Sequence, residues 1–170
     1  EGLNTLDGDT HMGFHSLEAG LRAAGGAVLG VDQVMTGQAD RVFLAARPPG
    51  HHAEPDRAMG FCLFASAAIA AQHARVNYGL TRVAVLDFDV HHGNGSVDIC
   101  KDHPQIMVCS SFQHPYYPNR LDDIEQPNIV NTPLPAGSGG DDFRRAISAQ
   151  WLGALEQHQP DLILVSAGFD

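Results

Sequence analysis

RVAVLDFDVHHGNG, residues 82–95, changes character halfway along. Arg82–Phe88 is a continuous apolar and β-branched run, the pattern of a strand covered on both faces. From Asp87 onward the segment turns acidic, then rich in histidine, then rich in glycine. Alternation along an extended backbone puts Asp87, Asp89 and His91 on one side. Two carboxylates so placed repel each other unless a cation lies between them. With an imidazole beside them they suit a hard-to-borderline divalent metal. Gly93 and Gly95 let the backbone turn sharply beneath such an ion.

Outward from this segment, helical and strand patterns alternate. Helices are predicted over His15–Met35, Phe61–Arg75 and Asp142–His158, and strands over Arg41–Ala46, Gln105–Ser110 and Asp161–Ala167. Phe112–Asn128, with its prolines and tyrosines, reads as a loop. Strands alternating with helices imply βαβ units and a mostly parallel sheet in an α/β fold. Ligands in such sheets bind outside the carboxyl ends of the strands. That rule directs attention to the segments after Ala46, Phe88, Ser110 and Ala167. After Ala46 comes RPPGHHAE, residues 47–54, where His51 and His52 follow a rigid Pro-Pro-Gly turn and suit a general base and a general acid. After Ala167 comes Asp170, a carboxylate able to join Asp89 and His91. Three protein ligands and an open position define a catalytic rather than a structural zinc site.

Composition narrows the class. The chain has 170 residues, enough for a single domain with a real core. Its formal charge is -10 and Lys101 is its only lysine, so it lacks the basic face that nucleic acids or anionic membranes require. Cys62, Cys100 and Cys109 form no CxxC pair and no disulfide framework. The first residues show no signal-peptide pattern, and a reducing cytoplasm is the expected compartment.

RPPGHHAEPDRAMGFCLF (47–64), VAVLDFDVHHGNGSVDIC (83–100) and LVSAGFD (164–170), in this order, resemble the zinc-dependent histone deacetylase family. That family includes bacterial deacetylase-like amidohydrolases and acetylpolyamine amidohydrolases, within the three-layer arginase/deacetylase fold. The resemblance implies hydrolysis of an acetyl or acyl amide on a lysine side chain or polyamine. It makes Asp89, His91 and Asp170 the zinc ligands and His51 and His52 the proton-handling pair. Asp87 becomes the partner of His51 and Asn94 the partner of His52, with the amide at Asn94 resembling the class II branch. It assigns substrate binding to Asp9, Gly60, Phe61 and Tyr117, and a structural monovalent cation, potassium, to Asp87 and Ser110. His114, Pro115, Tyr116 and Tyr117 would shape the channel mouth. A carboxylate beside His51 stabilises its charged form more than neutral Asn94 does for His52, which makes His52 the expected base.

The resemblance departs at Phe112, where relatives often carry histidine, and it ends at Asp170. The family's oxyanion-stabilising tyrosine lies later, so residues 1–170 are expected to form a single, partial catalytic domain. Sheet edges left uncovered would favour self-association. Other readings are an incomplete, non-catalytic metal-binding module and an arginase-like ureohydrolase with two manganese ions. The second needs further bridging carboxylates, and Asn94 stands where one would sit. A structural metal protein would need a cysteine-rich cluster that the sequence lacks.

Overall fold

The computed structural model describes residues 2–169, so the reading of Asp170 lies outside the described residues. A short antiparallel pair, β1 (Asn4–Thr5) and β2 (His11–Met12), precedes helix α1 (Ser16–Met35). Then follow α2 (Ser66–Tyr78), β3 (Val83–Asp87), α3 (Asn94–Cys100), β4 (Ile106–Gln113), β5 (Ile129–Leu134), α4 (Gly140–His158) and β6 (Leu162–Ser166). The last four strands form one parallel sheet in the order β5-β4-β3-β6.

The central strands are apolar on both faces because both faces are covered. Val83, Val85, Ile106 and Val108 pack with the small side chains Ala68, Ala71 and Ala74 of α2 and with Val97 and Cys100 of α3. Ala84, Met107 and Cys109 point the other way and meet Trp151, Ile147 and Leu155 of α4. Trp151 donates its Nε1–H to Thr132 Oγ1 at 2.9 Å, which fixes α4 against edge strand β5. Helices on both faces of a parallel sheet give the three-layer α/β architecture expected from the sequence.

Register then sets the site. Asp87 pairs with Ser110 on one side and Ser166 on the other, and Ser110 pairs with Asn131. One polar row, Ser166-Asp87-Ser110-Asn131, therefore crosses the sheet at the carboxyl ends of β3 and β6.

Three sequence expectations need correction. Arg41–Ala46 is not a strand: it has no ladder partner among the described residues, and Phe43 is 81% exposed. Its Val42 and Leu44 lie along α1 beside Gly30 and Gly26 instead. The second helix begins at Ser66 rather than Phe61, because Phe61 takes a positive φ of 63° in the turn before it. Phe112 and Gln113, read as the start of a loop, continue β4, and strand β5 and helix α3 were not anticipated. Pro133 and the polar residues Asn131 and Thr132 disguise β5, and its edge position tolerates the proline.

Candidate active site

Two chain segments meet above the polar row. Residues 87–95 run on from β3 into α3, and residues 50–54 lie across them. The first-turn N–H groups of α3, at Gly95 and Ser96, donate to the His51 carbonyl at 2.9 and 3.2 Å. These are helix N-terminal donors without an intrahelical partner, and here they dock the histidine segment.

His51 and His52 stand side by side, ring centroids 3.9 Å apart, and each is held through Nδ1. His51 Nδ1 lies 2.9 Å from Asp87 Oδ2, whose carboxyl group is fully buried. His52 Nδ1 lies 2.7 Å from Asn94 Oδ1. Burial, together with the neighbouring His51, pushes the His52 imidazole down to about 4, so it is neutral at physiological pH. His51 thus stands beside Asp87 and His52 beside Asn94, the neighbours named for them in the sequence analysis.

Asp89 Oδ1 accepts from the His91 backbone N–H at 2.8 Å and lies 2.9 Å from His91 Nδ1. Its Oδ2 is 3.8 Å from His51 Nε2. A carboxylate and an imidazole therefore stand together beside the histidine pair. That mixture of hard oxygen and borderline nitrogen fits zinc. Among the described residues no three histidine, cysteine or acidic groups converge into a complete metal cluster. Asp87 Oδ1 accepts from the Asp89 N–H at 3.2 Å, and Ser110 Oγ accepts from the Gly93 N–H at 3.2 Å. Asp87 and Ser110, neighbours in the sheet register, thus both hold the backbone of the segment that follows β3.

The proposed substrate-binding residues gather at the rim. Asp9 Oδ1 accepts from the Gly60 N–H at 3.1 Å, and the Phe61 N–H donates to Thr10 Oγ1 at 3.0 Å. Gly60 has φ +55° and packs on the His52 ring, where a Cβ would fall 2.2 Å from Cδ2, so no larger residue fits. Phe61 projects outward, 64% exposed. Tyr117 stands edge-on to His52, centroids 5.2 Å apart, and Tyr116 stacks on His91 at 5.2 Å. Burial and the Asp9 carboxylate push the Tyr117 hydroxyl above the usual phenol range.

Sequence reading missed the residues behind these. Glu54 Oε1 accepts from Asn94 Nδ2 at 2.7 Å, and its carboxylate pairs with Arg120 through two bonds of 2.7 and 2.8 Å. Its place two residues after His52 was the available signal. Arg120, 66 positions away, offered none. His92 Nε2 meets Asn131 Oδ1 at 2.9 Å, and Asn131 Nδ2 in turn donates to the carbonyls of Leu121, Asp122 and Ile124. The 114–128 loop that carries both tyrosines is thereby fixed to the sheet.

The family model described as the Histone deacetylase domain matches residues 1–170, and the chain belongs to that family. It is 40% identical over 176 residues to a histone deacetylase-like amidohydrolase of Pseudomonas aeruginosa, covering 99% of this chain and 46% of the relative. Among solved structures it resembles the HD domain of HDA15 with a TM-score of 0.93 and 33% identity, covering 99% of this chain and 52% of that one. It also resembles an acetylpolyamine aminohydrolase from Burkholderia pseudomallei with a TM-score of 0.90 and 36% identity, covering 96% of this chain and 49% of that one. The chain therefore spans about half the length of these relatives.

Proposed function

We propose that this chain carries the metal- and proton-handling part of a zinc-dependent deacetylase, which hydrolyses an acyl amide on a lysine side chain or a polyamine. The observation that carries the reading is the pair of adjacent imidazoles held through Nδ1 by unlike partners, a carboxylate for His51 and an amide for His52. Unlike partners separate their proton affinities, which a base and an acid working in one site require.

Asp89, His91 and Asp170 would hold the zinc, which when bound supplies Lewis acidity at the acyl carbonyl and acidifies a water. Neutral His52 accepts the water proton at Nε2 as the C–O bond forms. His51, stabilised as a cation by Asp87, gives its proton to the leaving nitrogen as the C–N bond breaks, releasing acetate and a free amine. Potassium beside Asp87 and Ser110 would brace the end of β3. Asp9, Gly60, Phe61 and Tyr117 would line the approach for a slender cationic chain, for which the chain's charge of -10 is favourable. The resemblance to an acetylpolyamine aminohydrolase supports this substrate class.

Acetate release from an acetyl-lysine peptide and from an acetylpolyamine tests the activity. The pH profile of Asn94→Asp tests the roles. A carboxylate at position 94 favours the charged form of His52, and a base must be unprotonated to act. The acidic limb of kcat/KM should therefore move to higher pH, by about 1–3 pH units. An unmoved acidic limb would show that His52 is not the base.

A further inference from the structure

Building on the assignment of His52 as proton acceptor, we infer that Glu54, clamped by Arg120, is a positioning residue that sets the tautomer of His52 through the amide of Asn94. The argument is one of donors and acceptors. The Glu54 side chain is 3% exposed, and Arg120 Nε and Nη2 donate to its two oxygens at 2.7 and 2.8 Å. A carboxylate so paired can only accept. The group 2.7 Å from Glu54 Oε1 must therefore be the amide NH2 of Asn94. Two further acceptors face the same NH2, the His52 carbonyl at 3.3 Å and Met59 Sδ at 3.4 Å. With the NH2 so committed, the Asn94 carbonyl faces His52 Nδ1 at 2.7 Å. A carbonyl also only accepts, so the hydrogen sits on His52 Nδ1 and the lone pair sits on Nε2.

Reversing the amide would set the Asn94 carbonyl against the Glu54 carboxylate and its NH2 against His52 Nδ1. Buried groups mismatched in this way are costly, so the order runs in one direction from Arg120 to His52. Glu54 is itself fixed by its backbone, whose N–H donates to the Arg57 carbonyl at 2.9 Å. Arg120 belongs to the loop that places Tyr117 edge-on to His52. The same ion pair therefore seats the channel wall and aims the lone pair of the base.

Leucine at position 54 breaks the pattern. Glu54 Oε1 accepts from Arg120 Nε as well as from Asn94, so a glutamine carbonyl can serve both, whereas leucine leaves the Asn94 NH2 without its 2.7 Å acceptor and frees the amide to turn. Chain labelled with 15N in its histidine rings, free of substrate and at mildly alkaline pH, reports the tautomer through its ring nitrogen shifts. The His52 signals are identified by their loss in His52→Gln. The unsubstituted chain and Glu54→Gln should show the Nδ1–H form, and folded Glu54→Leu the Nε2–H form. In the longer protein, Glu54→Leu should lower kcat by on the order of 10²–10⁴-fold with little change in KM, as expected when a catalytic histidine holds the wrong tautomer.

Adding Asn94→Asp to Glu54→Leu restores an acceptor to His52 and should return the hydrogen to Nδ1. Folded Glu54→Leu that keeps the Nδ1–H form overturns the inference, as does a folded Glu54→Gln or double variant that shows the Nε2–H form. If Glu54→Leu fails to fold, Glu54 is reduced to a structural clamp and the inference is likewise overturned. Because the ring signals are read without substrate, a tautomer change without acetate release would leave this inference standing and remove only the proposed activity.

Discussion

His52→Gln is expected to lower acetate release by on the order of 10²–10⁴-fold, the usual range for loss of general-base catalysis. Glutamine keeps a polar group beside Asn94 but cannot accept a proton near neutral pH. A second effect separates this variant from simple damage to the site. Folding lowers the proton affinity of His52 from the ordinary 6.5 to about 4. Between those values the unfolded chain binds more protons than the folded one, so stability is full above about pH 6.5 and declines as pH falls towards about 4. His52→Gln should flatten that decline. Thermal unfolding followed from pH 7 to pH 4 reads it directly, and an unchanged slope would mean that His52 is not the buried neutral group.

Gly95→Ala should be strongly damaging. A Cβ at Gly95 would lie 2.2 Å from the Ala53 carbonyl oxygen, 2.6 Å from its carbon and 2.7 Å from the Ala53 nitrogen. These are backbone atoms and cannot rotate aside, so α3 must separate from the 51–53 segment. That separation breaks the bonds from Gly95 and Ser96 to the His51 carbonyl and carries both histidines away from Asp87 and Asn94. Overpacking of this kind costs about 3 kcal/mol or more, a fall in Tm on the order of 10 °C for a chain of this size. Gly25→Ala provides the contrast. Nothing lies within 4 Å of a Cβ there, and alanine improves the helix by up to about 1 kcal/mol. Equal falls in Tm for the two variants would contradict the docking of α3 on the histidine segment.

The parts of the fold that were legible in the sequence are those where one physical demand dominates. Val83–Asp87, Leu162–Ser166 and residues 106–110 of β4 announce themselves by apolar runs, because β3 and β4 are covered on both faces and β6 is paired directly with β3. Edge strand β5 escapes that logic, since Asn131 and Thr132 serve the loop and α4 rather than an apolar core. Arg41–Ala46 has the composition of a strand, but strand formation also needs a neighbour, which composition cannot report. Helix α3 is only seven residues long and opens Asn-Gly, so its stability comes from docking rather than propensity.

The site divides in the same way. Asp87, Asp89 and His91 were readable from alternation at a strand end, and the partners of His51 and His52 from the family resemblance. Glu54 and Arg120 were not, because their importance lies in hydrogen-bond direction across segments distant in sequence. His92 was equally silent: a buried histidine bonded to Asn131 looks, in sequence, like a second metal ligand beside His91.

Metal content of the folded chain, measured beside that of Asp89→Ala, tests the central claim most directly. The account requires one zinc per chain, held with Asp89 as a ligand and therefore lost or greatly weakened in Asp89→Ala. A folded chain that takes up no zinc, or an Asp89→Ala chain that binds it as tightly, would contradict the assignment of this site to metal-dependent amide hydrolysis.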